Sequence, residues 1–347
     1  MRSDRAVTLQ DIADRLGVSR STASFAITGR GRVSDEMRQR VLGVAAELGY
    51  RPNAVARNLK GSRTGMLALR LPPDSTAMSY YMEATFGIVE EADRAGMIVF
   101  MLPTRLGPEQ VNQLPADAVI VLDPDLQDPV VRTLLDGRIP VVTGEPVPAG
   151  LPEPRATVTS EHEPAVHELM DHLHEQGARR PAILFTAFQG DWARTVRTAF
   201  ESWCIEHDVR PRVSEVAHPA APEVIHDAVS ALLAEDGDPV DAILAVTDGT
   251  VLSVVTSAQR LGRRVGDDLL VAALVDSEVL ALTQPSITAI DLHPREIGRR
   301  CVRAALDVID QDAGQDASVS AAPLRTVVPI VVNRRASTLG SELVETS

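Results

Sequence analysis

Apolar residues in the first fifty positions recur every three to four residues, in two separate runs. Leu9, Ile12, Ala13 and Leu16 form the first; Met37, Val41, Val44, Ala45 and Leu48 form the second. That period predicts helices with one buried stripe. Thr8, with Asp11 three residues on, can cap the first helix, and Gly17 supplies the left-handed geometry that stops it, with Val18 tucked into the turn. Ser19 caps a second helix, Arg20 to Ile27, whose outward face is expected to carry Arg20, Ser21, Ser24 and Phe25, and Ser34 caps the third. Two short helices about a glycine turn, the second rich in small polar residues, make a helix-turn-helix pattern, which suits docking in a DNA major groove. After Gly49-Tyr50-Arg51-Pro52, the segment Asn53 to Lys60 can form one further short helix, with GSRTG as a flexible exit. Such a helix is too short to persist alone in water and would order only when docked.

From residue 66 the pattern changes to short apolar runs separated by longer helical stretches. Strands are expected at Met66 to Leu71, Ile98 to Leu102, Ala118 to Leu122, Val141 to Thr143, Ala182 to Phe185, Ala242 to Ala245 and Leu270 to Leu274. Helices are expected at Met82 to Ala95, Pro164 to Gln176, Trp192 to His207 and Val251 to Leu261. This alternation predicts a parallel-sheet α/β body. Neither a G-x-G-x-x-G after a strand nor a P-loop occurs, and no nucleophile stands with a base partner, so an enzyme is not indicated.

Charge sharpens the division. Residues 1–65 hold twelve Arg or Lys against six carboxylates, a net +6, which leaves −20 on the other 282 residues of a chain whose total is −14. A basic head on an acidic body fits a protein in which only the head meets phosphates; the blander reading is a small bundle with a solvated basic face. Arginine outnumbers lysine 33 to 1, in head and body alike. Cys204 and Cys301 lie far apart, which suggests buried thiols in a reducing cytoplasm rather than a disulfide framework or metal knuckle. No charged-then-apolar leader and no apolar run of membrane-spanning length is present, so a membrane partner is not expected.

The strings VTLQDIADRLGVSRSTAS, VSDEMRQRVLGVAAELGYRPNAVARNLK, PSITAI near 285, HPREIG at 293–298 and RRAST at 334–338 resemble the lactose-repressor (LacI/GalR) family of bacterial transcription regulators, from Val7 to Thr338. The resemblance implies an all-α helix-turn-helix head at 1–52, a hinge helix and linker at 53–63, and two Rossmann-like lobes of the periplasmic-binding-protein kind. The N-lobe would comprise 64–157 and 292–322, the C-lobe 158–291 and 323–338, and 339–347 a tail too short for tetramerising heptads. Crossings between lobes are then expected near Thr157, Asp291 and Pro323. The stretch from Phe100 to Asp117 is short for the family, so one helix of the first lobe should be truncated.

By the same resemblance, DNA is contacted through Thr8, Leu9, Gln10, Ser19, Arg20, Ser21, Thr22, Ser24, Phe25 and Thr28 in the head, and through Asn53, Ala56, Arg57, Leu59 and Lys60 in the hinge. Arg20, Ser21 and Phe25 match base-reading positions, and Thr22 and Ser24 match phosphate-holding ones. Phe25 departs from the arginine common there. It is expected either to meet a thymine methyl or to pack in the head's core. Leu59 matches the lever pushed between base steps in the minor groove.

The cleft between the lobes matches the family less well. Alignment puts Ser160 where an Asp is usual, Val196 where a ligand-gripping Arg is usual (with Arg194 and Arg197 nearby), keeps Asp248, and puts Val275 at another customary Asp, with Asp276 one step on. Tyr80, Tyr81 and Trp192 fall at or beside the cleft, as stacking faces or as ordinary core. These changes argue for an unidentified effector held by apolar and aromatic contacts, or for none. Four histidines, His162, His167, His172 and His174, cluster with Glu163, Glu168 and Asp171, and LDPDLQDP carries Asp123, Asp125 and Asp128; neither spacing matches a metal site. The expectation is a cytoplasmic, sequence-specific regulator, a repressor that binds a pseudo-palindromic double-stranded DNA operator as a homodimer, without cofactor or metal. The alternatives are a regulator whose cleft is only structural, and a small-molecule carrier with the same body.

Overall fold

The structure is a computed structural model that describes residues 7–28, 33–48, 50, 63–73, 75, 78–186, 190–217, 220–234, 239–314 and 322–339. It divides into two compact units, Met1–Thr64 and Gly65–Ser347.

The first unit is a three-helix head: α1 (Leu9–Leu16), α2 (Arg20–Thr28) and α3 (Asp35–Glu47). The caps form as the sequence predicts. The Thr8 N–H donates to Asp11 Oδ2 at 2.7 Å, and Asp11 N–H returns to Thr8 Oγ1 at 3.4 Å. Gly17 (φ 65°) ends α1 in the left-handed region, where a β-carbon would be strained. Ser19 Oγ accepts from Thr22 N–H at 3.0 Å, and Ser34 Oγ from Met37 N–H at 3.3 Å. Ile12, Ala13, Ala23, Ala26, Val41 and Ala45 make the core, sealed by Leu9, Leu16, Val18, Met37, Val44 and Leu48.

The second unit holds two six-stranded sheets. The first is parallel throughout, in the order β11-β5-β4-β3-β1-β2: β1 (Met66–Arg70), β2 (Ile98–Met101), β3 (Ala118–Leu122), β4 (Val141–Gly144), β5 (Ala156–Ser160) and β11 (Leu324–Val328). The second runs β12-β10-β9-β8-β6-β7, from β6 (Pro181–Thr186), β7 (Arg212–Val216), β8 (Ala242–Ala245), β9 (Leu270–Ala273), β10 (Thr288–Asp291) and β12 (Val331–Asn333). Only β12 is antiparallel, to β10, among these pairings. All seven strands expected from apolar runs are present.

Helices cover the sheets. In the first lobe they are α4 (Ser79–Arg94), α5 (Pro108–Val111), α6 (Pro129–Leu135) and α12 (Pro294–Gly314). In the second they are α7 (His162–Glu175), α8 (Asp191–Glu206), α9 (Pro222–Leu233), α10 (Asp248–Arg260), α11 (Glu278–Leu282) and α13 (Ala336–Leu339). The four residues of α5 are the truncated helix that the short 100–117 stretch predicts. Among the described residues no helix is long and apolar enough to cross a membrane.

Two expected crossings move. β5 and β11 pair in register over their whole length, from Leu324↔Ala156 to Val328↔Ser160. The chain therefore leaves the first sheet after Ser160, not near Thr157, and after Val328, not near Pro323. Residues 158–160 and 323–328, assigned to the C-lobe from sequence, are strand and approach to strand in the first lobe. Five continuous parallel pairings hold each segment to the first sheet, where a break at 157 or 323 would strip its ladder. The remaining crossing follows Asp291, the last residue of β10.

The helices α4 and α12 cross at backbone contact. A β-carbon at Gly298 would lie 2.1 Å from Ala84 O, and one at Gly87 2.0 Å from Arg295 O. Beside the crossing, Arg299 pairs with Glu90 at 2.7 Å and Arg303 with Glu91 at 2.8 Å.

Candidate functional site

On the head, Arg20 and Ser21 are exposed at the start of α2 and Phe25 follows one turn on, 43% exposed. Phe25 therefore does not fill the core, which removes one of its two sequence readings. Ser24 is a correction. At about 100° per residue it stands between Ser21 and Ile27, about 60° from each, and it is buried at 9% exposure. Thr22 is half-buried, its hydroxyl 2.8 Å from that of the exposed Ser19. Thr8 and Leu9 are half-buried at the start of α1, and the exposed Gln10 donates its amide to Asp14 Oδ1 at 2.7 Å. Thr28 is the last residue of α2. Asn53, Ala56, Arg57, Leu59 and Lys60 lie outside the described residues.

In the body, the carboxyl ends of the strands gather the polar side chains, at the place where strand order reverses about β1 and β3. Tyr80 and Tyr81 open α4, after β1, with rings edge to face at 5.2 Å. Tyr81 donates its hydroxyl to Asp123 Oδ2 at 2.7 Å. Asp123 follows β3 and Glu145 follows β4, and both hold left-handed backbone, φ 43° and 86°. Such strain in a non-glycine persists only where the surroundings enforce it. Glu145 Oε2 accepts from Thr159 Oγ1 at 2.9 Å and lies 3.0 Å from His162 Nε2, at ion-pair distance but without hydrogen-bond alignment. From the second lobe, Trp192 sets its ring edge-on to His162 at 6.4 Å. An antiparallel β-bridge between Asp125 and Gly190 joins the lobes at this point.

Asp123 Oδ1, Ser160 Oγ and Trp192 Nε1 are enclosed without any hydrogen-bond partner. Buried polar atoms are normally paired, and these three lack the partner such atoms usually have. Burial and, next, the neighbouring Glu145 push the Asp123 carboxyl up to about 7; the Tyr81 hydrogen bond and His162 oppose this. Burial followed by Asp123 holds both tyrosine hydroxyls well above their ordinary range.

The sequence had pointed to other anchors here. Tyr80, Tyr81 and Trp192 stand among these side chains, and Ser160 ends β5, buried at 7% exposure. Asp276 is a correction: its carboxylate is saturated by Arg335 at 2.6 and 2.8 Å and Asn333 at 2.8 Å, a latch that ties β12 and α13 to the end of β9. Arg197 is spent on Glu201 and on Glu215 of β7, and Arg194 is an exposed partner of Asp191. Asp248 opens α10, with its carboxylate on Gly249 N–H at 2.9 Å. The sequence missed Asp123, Glu145 and His162 as one group. The four histidines part company, His162 toward Glu145, His167 to Ser202, His172 to Thr338 and His174 to Arg179.

The sequence profile described as bacterial regulatory proteins, lacI family, matches residues 8–53, and that of the periplasmic binding protein-like domain matches 170–338. The chain joins a lacI-type DNA-binding domain to a periplasmic-binding-protein-like domain. It is thus a DNA-binding transcription regulator and not an enzyme. The HTH-type transcriptional regulator CelR of Thermobifida fusca is 28% identical over 329 residues, 89% of this chain and 94% of that protein. The fold of the lac repressor dimer bound to operator and the anti-inducer ONPF matches with a TM-score of 0.81, at 23% identity, over 97% of this chain and 100% of that one. The CelR–cellobiose complex matches with a TM-score of 0.68 at 25% identity, over 95% and 99%.

Proposed function

We propose that this regulator is a cytoplasmic repressor that binds a near-palindromic operator as a homodimer and responds to a polar small molecule held between the lobes. The exposed face of α2 carries the reading: Arg20, Ser21 and Phe25 stand outward on a well-capped helix-turn-helix in a segment of net charge +6. Arg20 reads a guanine, a contact worth ~1–3 kcal/mol of discrimination, and Phe25 meets a thymine methyl. Ser19, Thr22, Thr8, Leu9, Gln10 and Thr28 border that face and fix register on the phosphates. Asn53, Ala56, Arg57, Leu59 and Lys60 act in the minor groove, with Leu59 as the wedge.

Two heads are needed to place recognition helices in successive major grooves. An apolar row on α4 supports self-association. Met82, Phe86 and Val89 follow the spacing of one helix face and are 56%, 45% and 47% exposed, beside the open edge of β2 with Ile98 and Met101. The orphaned polar atoms in the cleft favour a polar effector. They oppose the expectation of a ligand held chiefly by apolar contacts, since such a ligand would leave them unpaired at ~1–3 kcal/mol each. The CelR–cellobiose complex, a solved relative, is consistent with a small polar molecule as effector in this fold.

Selection of bound DNA from a random pool by the full-length protein at near-physiological salt tests the reading. A palindrome is expected, and Arg20→Ala should relax one base pair per half-site. Recovery of no motif, with binding that vanishes as salt rises, would leave only nonspecific electrostatics and refute it.

A further inference from the structure

The cleft has a charge imbalance that bears on what it binds. The groups facing one another there come from seven elements or the turns that follow them: Tyr80 and Tyr81 on α4, Asp123 after β3, Glu145 after β4, Ser160 on β5, His162 on α7, Trp192 on α8 and Cys301 on α12. Two are carboxylates and one, His162, is a base. Among the described residues no arginine or lysine joins them: Arg70 is consumed by Asp128 at 2.5 Å, and the chain's single lysine is Lys60. Ser160 and Trp192 are more than nine-tenths buried, and their hydroxyl and indole N–H have no partner.

We propose that this cleft takes a small ligand with a protonated nitrogen beside hydroxyl groups, an amino sugar or amino alcohol, in preference to a neutral sugar or an anion. The proposal rests on reading the cleft as the effector site. An anion would add negative charge beside a buried carboxyl pair. A neutral polyol would satisfy hydrogen bonds and leave that pair with His162 as its one basic neighbour among these groups. A protonated amine donates to Asp123 Oδ1 and supplies the missing charge. A neighbouring hydroxyl accepts from Trp192 Nε1–H and bonds the Ser160 hydroxyl, while the aromatic faces of Trp192 and Tyr80 favour a cation.

Proton linkage follows from the geometry. Burial pushes the Asp123 carboxyl up to about 7, so the free cleft exchanges a proton near neutral pH. The ligand binds as an ammonium on the carboxylate form, so affinity falls as pH drops below that range. It falls again once the ligand's own ammonium is deprotonated, at about 8 for an α-amino-type amine.

The test uses the full-length protein, thermal shift and titration calorimetry. The probes are matched sets: D-glucosamine, D-glucose and N-acetyl-D-glucosamine, the three galactose counterparts, and ethanolamine against ethylene glycol. Amines alone are expected to raise the Tm near pH 7.5. The shift should shrink several-fold at pH 6 for every amine, shrink at pH 9 for the amino sugars before ethanolamine, and vanish in Asp123→Asn. Titrations in two buffers of different ionisation heat should show proton release. Should Asp123→Asn fail to fold, Glu145→Gln is expected to weaken amine binding in the same direction. A neutral sugar that stabilises as well as its amine overturns the proposal and leaves the effector reading standing. No shift from any member of the panel also overturns it, and a broad small-molecule screen then decides the effector reading separately.

Discussion

Replacing Gly298 by alanine should destabilise the body, although the same change inside most helices stabilises. Alanine is worth ~1 kcal/mol over glycine in a helix interior. Here the added methyl would lie 2.1 Å from the backbone oxygen of Ala84 and 2.9 Å from Ile88 N. To reach even 3.0 Å, α12 and α4 must part by about 0.9 Å. The obstacle is backbone, so no side-chain rotation relieves it. Overpacking of this kind costs ~1–3 kcal/mol and sometimes more, and the Arg299–Glu90 and Arg303–Glu91 pairs would stretch as well. We expect a net loss of about 2 kcal/mol, hence a fall of roughly 4 °C in Tm, since a domain of this size moves ~2 °C per kcal/mol. Gly249→Ala is the internal control. It sits in the first turn of α10 with nothing within 4 Å of the new methyl, and should leave Tm unchanged or slightly raised. Gly87→Ala faces the same crossing, 2.0 Å from Arg295 O. The double variant should therefore cost less than the two single losses combined, because the first methyl has already parted the helices. Urea unfolding of the four proteins decides the matter. A stabilised Gly298→Ala, or strict additivity of the pair, would show that the close crossing contributes nothing.

Asp276→Ala should act on stability and not on ligand recognition. It strips Arg335 (19% exposed at the side chain) and Asn333 of their partner, and loss of one member of a largely buried pair costs ~3–5 kcal/mol. Denaturant unfolding should show the loss, and an effector affinity changed without it would return Asp276 to the cleft. Met82→Glu with Val89→Glu places charge on the apolar row of α4 and should convert a dimer to a monomer in sedimentation. Unchanged mass would move the self-association surface elsewhere.

The head was largely legible because its determinants are local. Thr8, Asp11, Gly17, Ser19 and Ser34 each act within three or four residues, and a cap read from sequence is the cap that forms. Ser24 was misplaced because one polar residue near the edge of a stripe turns inward or outward on a rotation that spacing alone does not fix. The apolar strands of the body were equally plain. β5 (ATVTS), β7 (RVSEV), β10 (TAID), β11 (LRTVV) and β12 (VVN) were not, since they are short or broken by polar residues, and only pairing across 168 positions makes β5 and β11 neighbours. The cleft was read through positions where relatives keep their anchors. That route led to Ser160 and Trp192, and to Asp276, whose carboxylate is taken by Arg335, 59 residues on. It passed over Asp123 and Glu145, which look like loop charges beside prolines until left-handed backbone turns them inward.

The β-bridge between Asp125 and Gly190 joins the lobes through main chain, and its hold does not depend on the side chains at those two positions. Asp123 and Trp192 stand close to it in the chain, and the bridge uses the side chain of neither. Substitution of those side chains can thus alter the chemistry of the cleft while the main-chain tie between the lobes is kept.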